Sequence, residues 1–183
     1  SLKENDFNIL NAQYEKIQAV SDDTVLANYF DPYKPTEMPR KPDTIIYPFG
    51  LNQSQKLAVE RALSSKISII QGPPGTGKTQ TILNIIANIV LNGKTVAVVS
   101  NNNSATHNVV EKLEKKNAAF LTAFLGSLAN KEKFLDAQTG AYPNMSDWEM
   151  SPEERQQLDR ETTALSKELN EMLNAKNRIA EIE

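Results

Sequence analysis

SIIQGPPGTGKTQTI, residues 68–82, decides how this chain is read. KISIIQ (66–71) is a short β-branched run that ends at a glycine, the pattern of a buried strand. TQTILNIIANIVLNG (79–93) follows, with Ile82, Ile85, Ile86, Ile89 and Val90 at helical spacing and Gly93 as a stop. Between them, Gly72-Pro73-Pro74-Gly75-Thr76-Gly77-Lys78-Thr79 fills every position of G-x-x-x-x-G-K-[ST], the phosphate-loop pattern. Glycines let the backbone curl so that successive N–H groups face one anion. The helix start adds unpaired N–H groups and the positive end of its dipole. Lys78 is a flexible point charge that can reach β- and γ-phosphates, and the Thr79 hydroxyl suits a Mg²⁺ shell made mostly of waters and phosphate oxygens.

Outward from the loop, strand and helix patterns alternate. LNQSQKLAVERALSS (51–65) is expected to be a helix capped by Asn52. KTVAVVS (94–100) reads as a second buried strand, SATHNVVEKLEKK (104–116) as a helix and AAFLTAFLG (118–126) as a third strand. Strands alternating with covering helices imply an α/β fold around a parallel sheet. Residues 1–47 read as a peripheral segment. A helix over FNILNAQYEKIQAV (7–20) would use Phe7, Ile9, Leu10, Tyr14, Ile17 and Val20, and the four prolines within 31–43 of FDPYKPTEMPRKPD (30–43) predict extended chain rather than helix.

After the 48–126 core, residues 127–183 change character. A short helix is expected near Lys131–Gln138, then a long one from Ser151, with Ser151 and Glu154 forming a capping box and Pro152 at the first helical position. Leu158, Leu165, Met172 and Ile179 recur every seven residues with Leu169 beside them, while Thr162 and Lys176 interrupt the second row. That seam predicts packing on a partner helix. Meeting Glu183 with neither a stop signal nor a partner is what a chain cut from a longer protein would show.

Composition narrows the field. The chain has 183 residues, 39% of them hydrophobic and 23% charged, which is a globular composition. A net charge of −3 provides no overall basic field for nucleic acid, so any such partner must be held locally. There is no cysteine and one histidine, His107, which leaves out disulfides, thiolate metal sites and histidine clusters. No secretory pattern opens the chain, and the apolar stretch around Ile82–Leu91 is broken by Asn84 and Asn88. A soluble, cytoplasmic protein is expected.

The phosphate loop serves both remodelling ATPases and several helicase groups, and flanking residues discriminate between them. In LNQSQKLAVERAL, Gln55 lies seventeen residues before Gly72. Leu51, Asn52, Ser54, Gln55, Ala58, Val59 and Gln71, with the whole loop, match the Q motif and loop of superfamily-one helicases. The resemblance is to the group typified by the nonsense-mediated-decay helicase. It implies a partial RecA-like P-loop NTPase, the front of a first motor domain, here expected from a bacterial DNA helicase. It also implies that Gln55 recognises the adenine edge, although Asn52 and Gln55 equally suit a capping box.

VAVVSNNNSATHNVVEKL (96–113) resembles motif Ia of the same helicases, where a turn touches the backbone of a single strand. Asn102 and Asn103 occupy its Ser-Asn positions, and Ala105, Glu111 and Lys112 match further on. Asn101 replaces the usual Pro, and His107 stands where Asp is frequent. The resemblance covers about residues 48–126.

The expected site is therefore Lys78 for catalysis, and Asn52, Gln55, Gly72, Gly75, Thr76, Gly77, Lys78, Thr79 and Gln80 for the nucleotide. Thr79 would face Mg²⁺, and Asn102 and Asn103 would face nucleic acid. ATP and Mg²⁺ are the cofactors implied, and single-stranded nucleic acid, DNA before RNA, the partner. No apolar strand ending in Asp-Glu follows residue 79, and the later Gln and Arg motifs are absent, so slow or no hydrolysis is expected from this chain alone. A remodelling ATPase and a non-catalytic nucleotide-binding assembly module are the alternatives.

Overall fold

In the computed structural model, residues 11–17, 19–31, 33, 38–138 and 144–182 are described. Six α-helices are used below: α1 (Val25–Phe30), α2 (Gln53–Leu63), α3 (Lys78–Leu91), α4 (Asn103–Glu114), α5 (Leu128–Asp136) and α6 (Pro152–Ile182). Their starts follow local chemistry. Thr24, Asn52, Asn102 and Ser127 each accept a bond from a first-turn N–H of the helix they precede. At α6 the Ser151 hydroxyl and the Glu154 carboxylate form the expected reciprocal box, with Glu154 N donating to Ser151 Oγ at 3.2 Å and Ser151 N to Glu154 Oε2 at 2.8 Å.

The expected parallel sheet is not formed. Among the described residues there is no strand: 66–71 and 94–100 are irregular, and 118–126 holds a short 3₁₀ turn at Ala119–Leu121. Many of their apolar side chains stay in solvent, Ile69 at 83% and Val99 at 89% exposure. A β-branched run reports a capacity for burial between layers, whereas a strand exists only where a neighbour completes its ladder of N–H and C=O bonds. The α/β, RecA-like parallel-sheet reading is therefore corrected to a helical arrangement.

Helix α2 packs along α3, and α4 packs on α3. The core at the second contact is Leu83, Ile86, Val109 and Leu113, with Phe49 and Ala118 packed against it. Helix α3 buries only part of the expected face, with Ile86 inside and Ile85 and Ile89 half-buried. Ile82 and Val90 are exposed, while Thr81, Leu83, Asn84, Ile86 and Asn88 are buried. With no sheet above it, α3 instead holds the irregular segment 46–50, whose backbone polar groups need partners. Of the expected N-terminal helix, 11–14 is helical, and Phe7, Ile9 and Leu10 lie outside the described residues.

The seven-residue row of α6 is also solvent-facing: Leu158, Leu165, Met172 and Ile179 are all exposed. Leu169 and Leu173 are half-buried instead, and Thr163 Oγ1 lies 3.3 Å from Thr44 Oγ1. Packing of that row on a partner helix is not seen. No helix among the described residues is long and apolar enough to cross a membrane.

Candidate nucleotide site

The loop takes the shape its glycines allow. Gly75 and Gly77 have φ of +85° and +81°, a region that side chains with a β-carbon rarely enter. Gly72 is needed for space: a β-carbon there would stand 2.6 Å from Thr76 Oγ1, which itself donates to the Pro73 carbonyl at 2.8 Å. Gly77 caps α3 with no side-chain bond, so the start of this helix, unlike that of α2, α4 or α5, has no side chain over its N–H groups. The Lys78 ammonium is folded back on its own loop, donating to the Gly72 carbonyl and to the Pro73 carbonyl at 2.8 Å.

An open cleft of about 1270 Å³ fronts the loop. Pro74, Gly75, Gly77, Lys78, Thr79 and Gln80 form one side, Phe49 and Leu83 its floor, and Asn102, Ala105, Lys112, Lys115 and Lys116 the α4 side. Four lysines and no carboxylate line it, in a chain whose net charge is −3. The cleft is thus locally electropositive against the sign of the whole protein, a field that concentrates anions. Lys112, Lys115 and Lys116 were not singled out as site residues by sequence reasoning, because α4's register toward the loop is a tertiary fact.

Gln55 is buried, and both N–H groups of its amide are engaged. Its Oε1 accepts from Asn52 N at 2.9 Å, and its Nε2 donates to Thr76 O at 3.1 Å and to Gln80 Oε1 at 3.2 Å. Asn52 Oδ1 accepts from Gln55 N at 2.9 Å, so the capping box is present in full. Gln55 therefore ties the start of α2 to the phosphate loop; its Nε2 can donate to an adenine edge only by exchanging a partner, while Oε1 keeps a second lone pair that can accept.

Three amides on one ridge of α3 grip the segment before α2. Gln80 Nε2 donates to Phe49 O. Asn84 accepts from Phe49 N at 3.1 Å and donates to Gly50 O at 2.8 Å. Asn88 accepts from Ile46 N at 2.9 Å and donates to Ile46 O at 2.7 Å. Asn84 and Asn88 have no exposed surface, and the sequence signal for them was the polar i, i+4, i+8 row of Gln80, Asn84 and Asn88 inside an apolar helix.

Asn102 reaches the cleft as the cap of α4, with Ser104 N donating to its Oδ1 at 3.0 Å, while Asn103 is the first residue of α4, exposed and outside the cleft lining. His107 is exposed, 3.3 Å from Glu111 and beside Phe124, away from the loop. Behind the site, Glu60 accepts from Lys56 at 2.9 Å and Lys41 at 3.2 Å. Burial pushes the Glu60 carboxyl up, but the two ammonium groups outweigh it and hold it below the ordinary carboxylate value. The Tyr47 phenol is raised to about 12 by burial and then by the charge of Glu60.

A family model described as an AAA domain matches residues 50–182. A Regulator of nonsense transcripts 1 homolog from Drosophila melanogaster is 47% identical over 68 residues, which is 37% of this chain and 6% of that protein. A DNA polymerase alpha-associated DNA helicase A from Schizosaccharomyces pombe is 47% identical over 64 residues, 34% of this chain and 10% of its own length. A DNA-binding protein SMUBP-2 from Mesocricetus auratus is 43% identical over 90 residues, 49% of this chain and 9% of that one. The chain thus spans a tenth or less of these three relatives. No solved structure matches.

Proposed function

Because the chain belongs to the AAA domain family over residues 50–182, we propose that it is the ATP-binding part of an ATP-dependent nucleic-acid helicase or translocase. The observation that carries this reading is the uncapped start of α3 behind a glycine-curled loop, facing a cleft lined by four lysines and no acid. Those groups fit a triphosphate: N–H groups of the loop and first turn for its oxygens, and ammonium groups for its charge. Resemblance to relatives named as helicases adds the motor class.

In this reading Gly72, Gly75, Thr76 and Gly77 shape the cradle, and Lys78 leaves its two loop carbonyls to pair with the phosphates. Thr79, half-buried at the cleft edge, would hold Mg²⁺. Bound Mg²⁺–ATP supplies the phosphoanhydride whose cleavage drives such motors. Gln80 braces the loop through Phe49 and Gln55, and Asn52 with Gln55 stands at the base end, where resemblance places adenine. Asn102 and Asn103 would meet the backbone of a single strand, DNA before RNA, through contacts that position without reading sequence.

Calorimetric titration with Mg²⁺–ATP tests the reading. Binding by the native chain that is lost in Lys78→Ala supports it, and equal affinity of the two sinks it.

A further inference from the structure

We propose that Phe49 is the platform on which the nucleobase stacks. This rests on the nucleotide reading above and adds to it a residue outside the phosphate loop and its flanking motifs. Phe49 is the one aromatic side chain lining the cleft among the described residues. It is half-buried, packed against the Leu83 and Ile86 core while it borders the cleft, so its ring is held in place.

Its backbone is pinned at both polar atoms. Phe49 N donates to the fully buried Asn84, and Phe49 O accepts from Gln80, the residue directly after the GKT of the loop and in contact with Gln55. Gly50 closes the turn with its N–H on Tyr47 O at 3.0 Å, with Pro48 at the favoured second position. A β-carbon on Gly50 would stand 2.9 Å from Gln80 Nε2, so the turn and α3 approach as closely as a glycine permits. A buried amide, Asn84, and a half-buried one, Gln80, fixing one exposed-edge aromatic beside a phosphate cradle is an arrangement for presenting a rigid π-face. Every base has such a face, so stacking there strengthens binding of any nucleoside triphosphate and leaves discrimination among bases to hydrogen bonds elsewhere.

The experiment compares Mg²⁺–ATP, Mg²⁺–GTP and inorganic tripolyphosphate with Mg²⁺ on the native chain, Phe49→Leu and Phe49→Trp. Leucine keeps the apolar contact with the core but removes the ring. The expected result is roughly a tenfold loss of affinity for both nucleotides in Phe49→Leu. Tripolyphosphate affinity is unchanged, and nucleotide affinity is retained or raised in Phe49→Trp. Unchanged ATP affinity in Phe49→Leu overturns the proposal, as does an equal loss for tripolyphosphate, which marks a structural role. A native chain that binds neither ATP nor tripolyphosphate overturns the nucleotide reading itself, a distinct outcome.

Discussion

A β-carbon on Gly77 would stand 2.0 Å from Gln55 Nε2: the buried amide of α2 occupies the space that any side chain at the end of the phosphate loop would need. Two elements separated by most of the loop and a preceding helix thus meet at a single atom's clearance. Gly77 also has φ +81°, so a substitution meets strain in the backbone and collision with Gln55 together. Gly75, at φ +85°, has open space around its α-carbon and only the first of these.

Gly77→Ala is therefore expected to damage the site more than Gly75→Ala. Both should weaken Mg²⁺–ATP binding, but Gly77→Ala should also lower stability, by about 1–3 kcal/mol from forced backbone strain and a displaced buried amide. Denaturant unfolding of the two variants checks this. Equal midpoints would show that Gln55 does not depend on Gly77 for its seat.

Gln55→Ala removes three bonds at once, to Asn52 N, Thr76 O and Gln80 Oε1. If its work is bracing the loop, ATP and tripolyphosphate should weaken by the same factor. Selective loss of ATP, with tripolyphosphate unaffected, would instead assign the amide to the base. Competition binding with the two ligands separates the outcomes.

Asn84→Leu and Asn88→Leu keep the branched outline but strand Phe49 N and Gly50 O in the first variant and Ile46 N and O in the second. Each should destabilise by about 2–4 kcal/mol, since buried N–H and C=O groups are stranded. Together the two cost about 4–8 kcal/mol against a total of about 5–15 kcal/mol for an ordinary domain, so the double variant should lose a large part of its stability and melt far below the native chain. Far-ultraviolet circular dichroism reads this directly. Native stability in either single variant would mean the clamp is dispensable.

The pair Tyr47 and Glu60 sets both ends of the pH range. Glu60 is held below its ordinary value, so its ion pairs add stability at neutral pH that is lost as pH falls through the lowered folded value. Tyr47 is raised from 10.0 to about 12, so stability present below pH 10 is lost as pH rises toward 12. Ultraviolet titration should show one phenol with a midpoint near 12 that disappears in Tyr47→Phe. Glu60→Gln should flatten the acid limb of the stability curve. A titration with no phenol above the ordinary value, unchanged in Tyr47→Phe apart from amplitude, would show that Tyr47 is not buried.

This chain carries no apolar run closed by Asp-Glu after residue 79, so ATP should bind without helicase-like turnover. Steady-state phosphate release at rates typical of motors would refute that.

What the sequence determined by itself is local. Eight consecutive residues specify a phosphate loop because glycine conformation, lysine charge and helix start act within one turn of chain. The caps at Asn52, Asn102, Ser127 and Ser151 are legible for the same reason: donor and acceptor lie within three residues. Tertiary structure decided what depends on distant partners. Whether 66–71 and 94–100 become strands requires a neighbour that the β-branched pattern cannot name, and here the ladder is missing while α3 bonds to 46–50 instead. Gln55 matched two chemistries in sequence, and only its approach to Thr76 and Gln80 shows where its amide is engaged. Lys115 and Lys116 border the cleft only because packing of α4 turns them toward the loop: the direction of a side chain is set by helix register and its destination by packing.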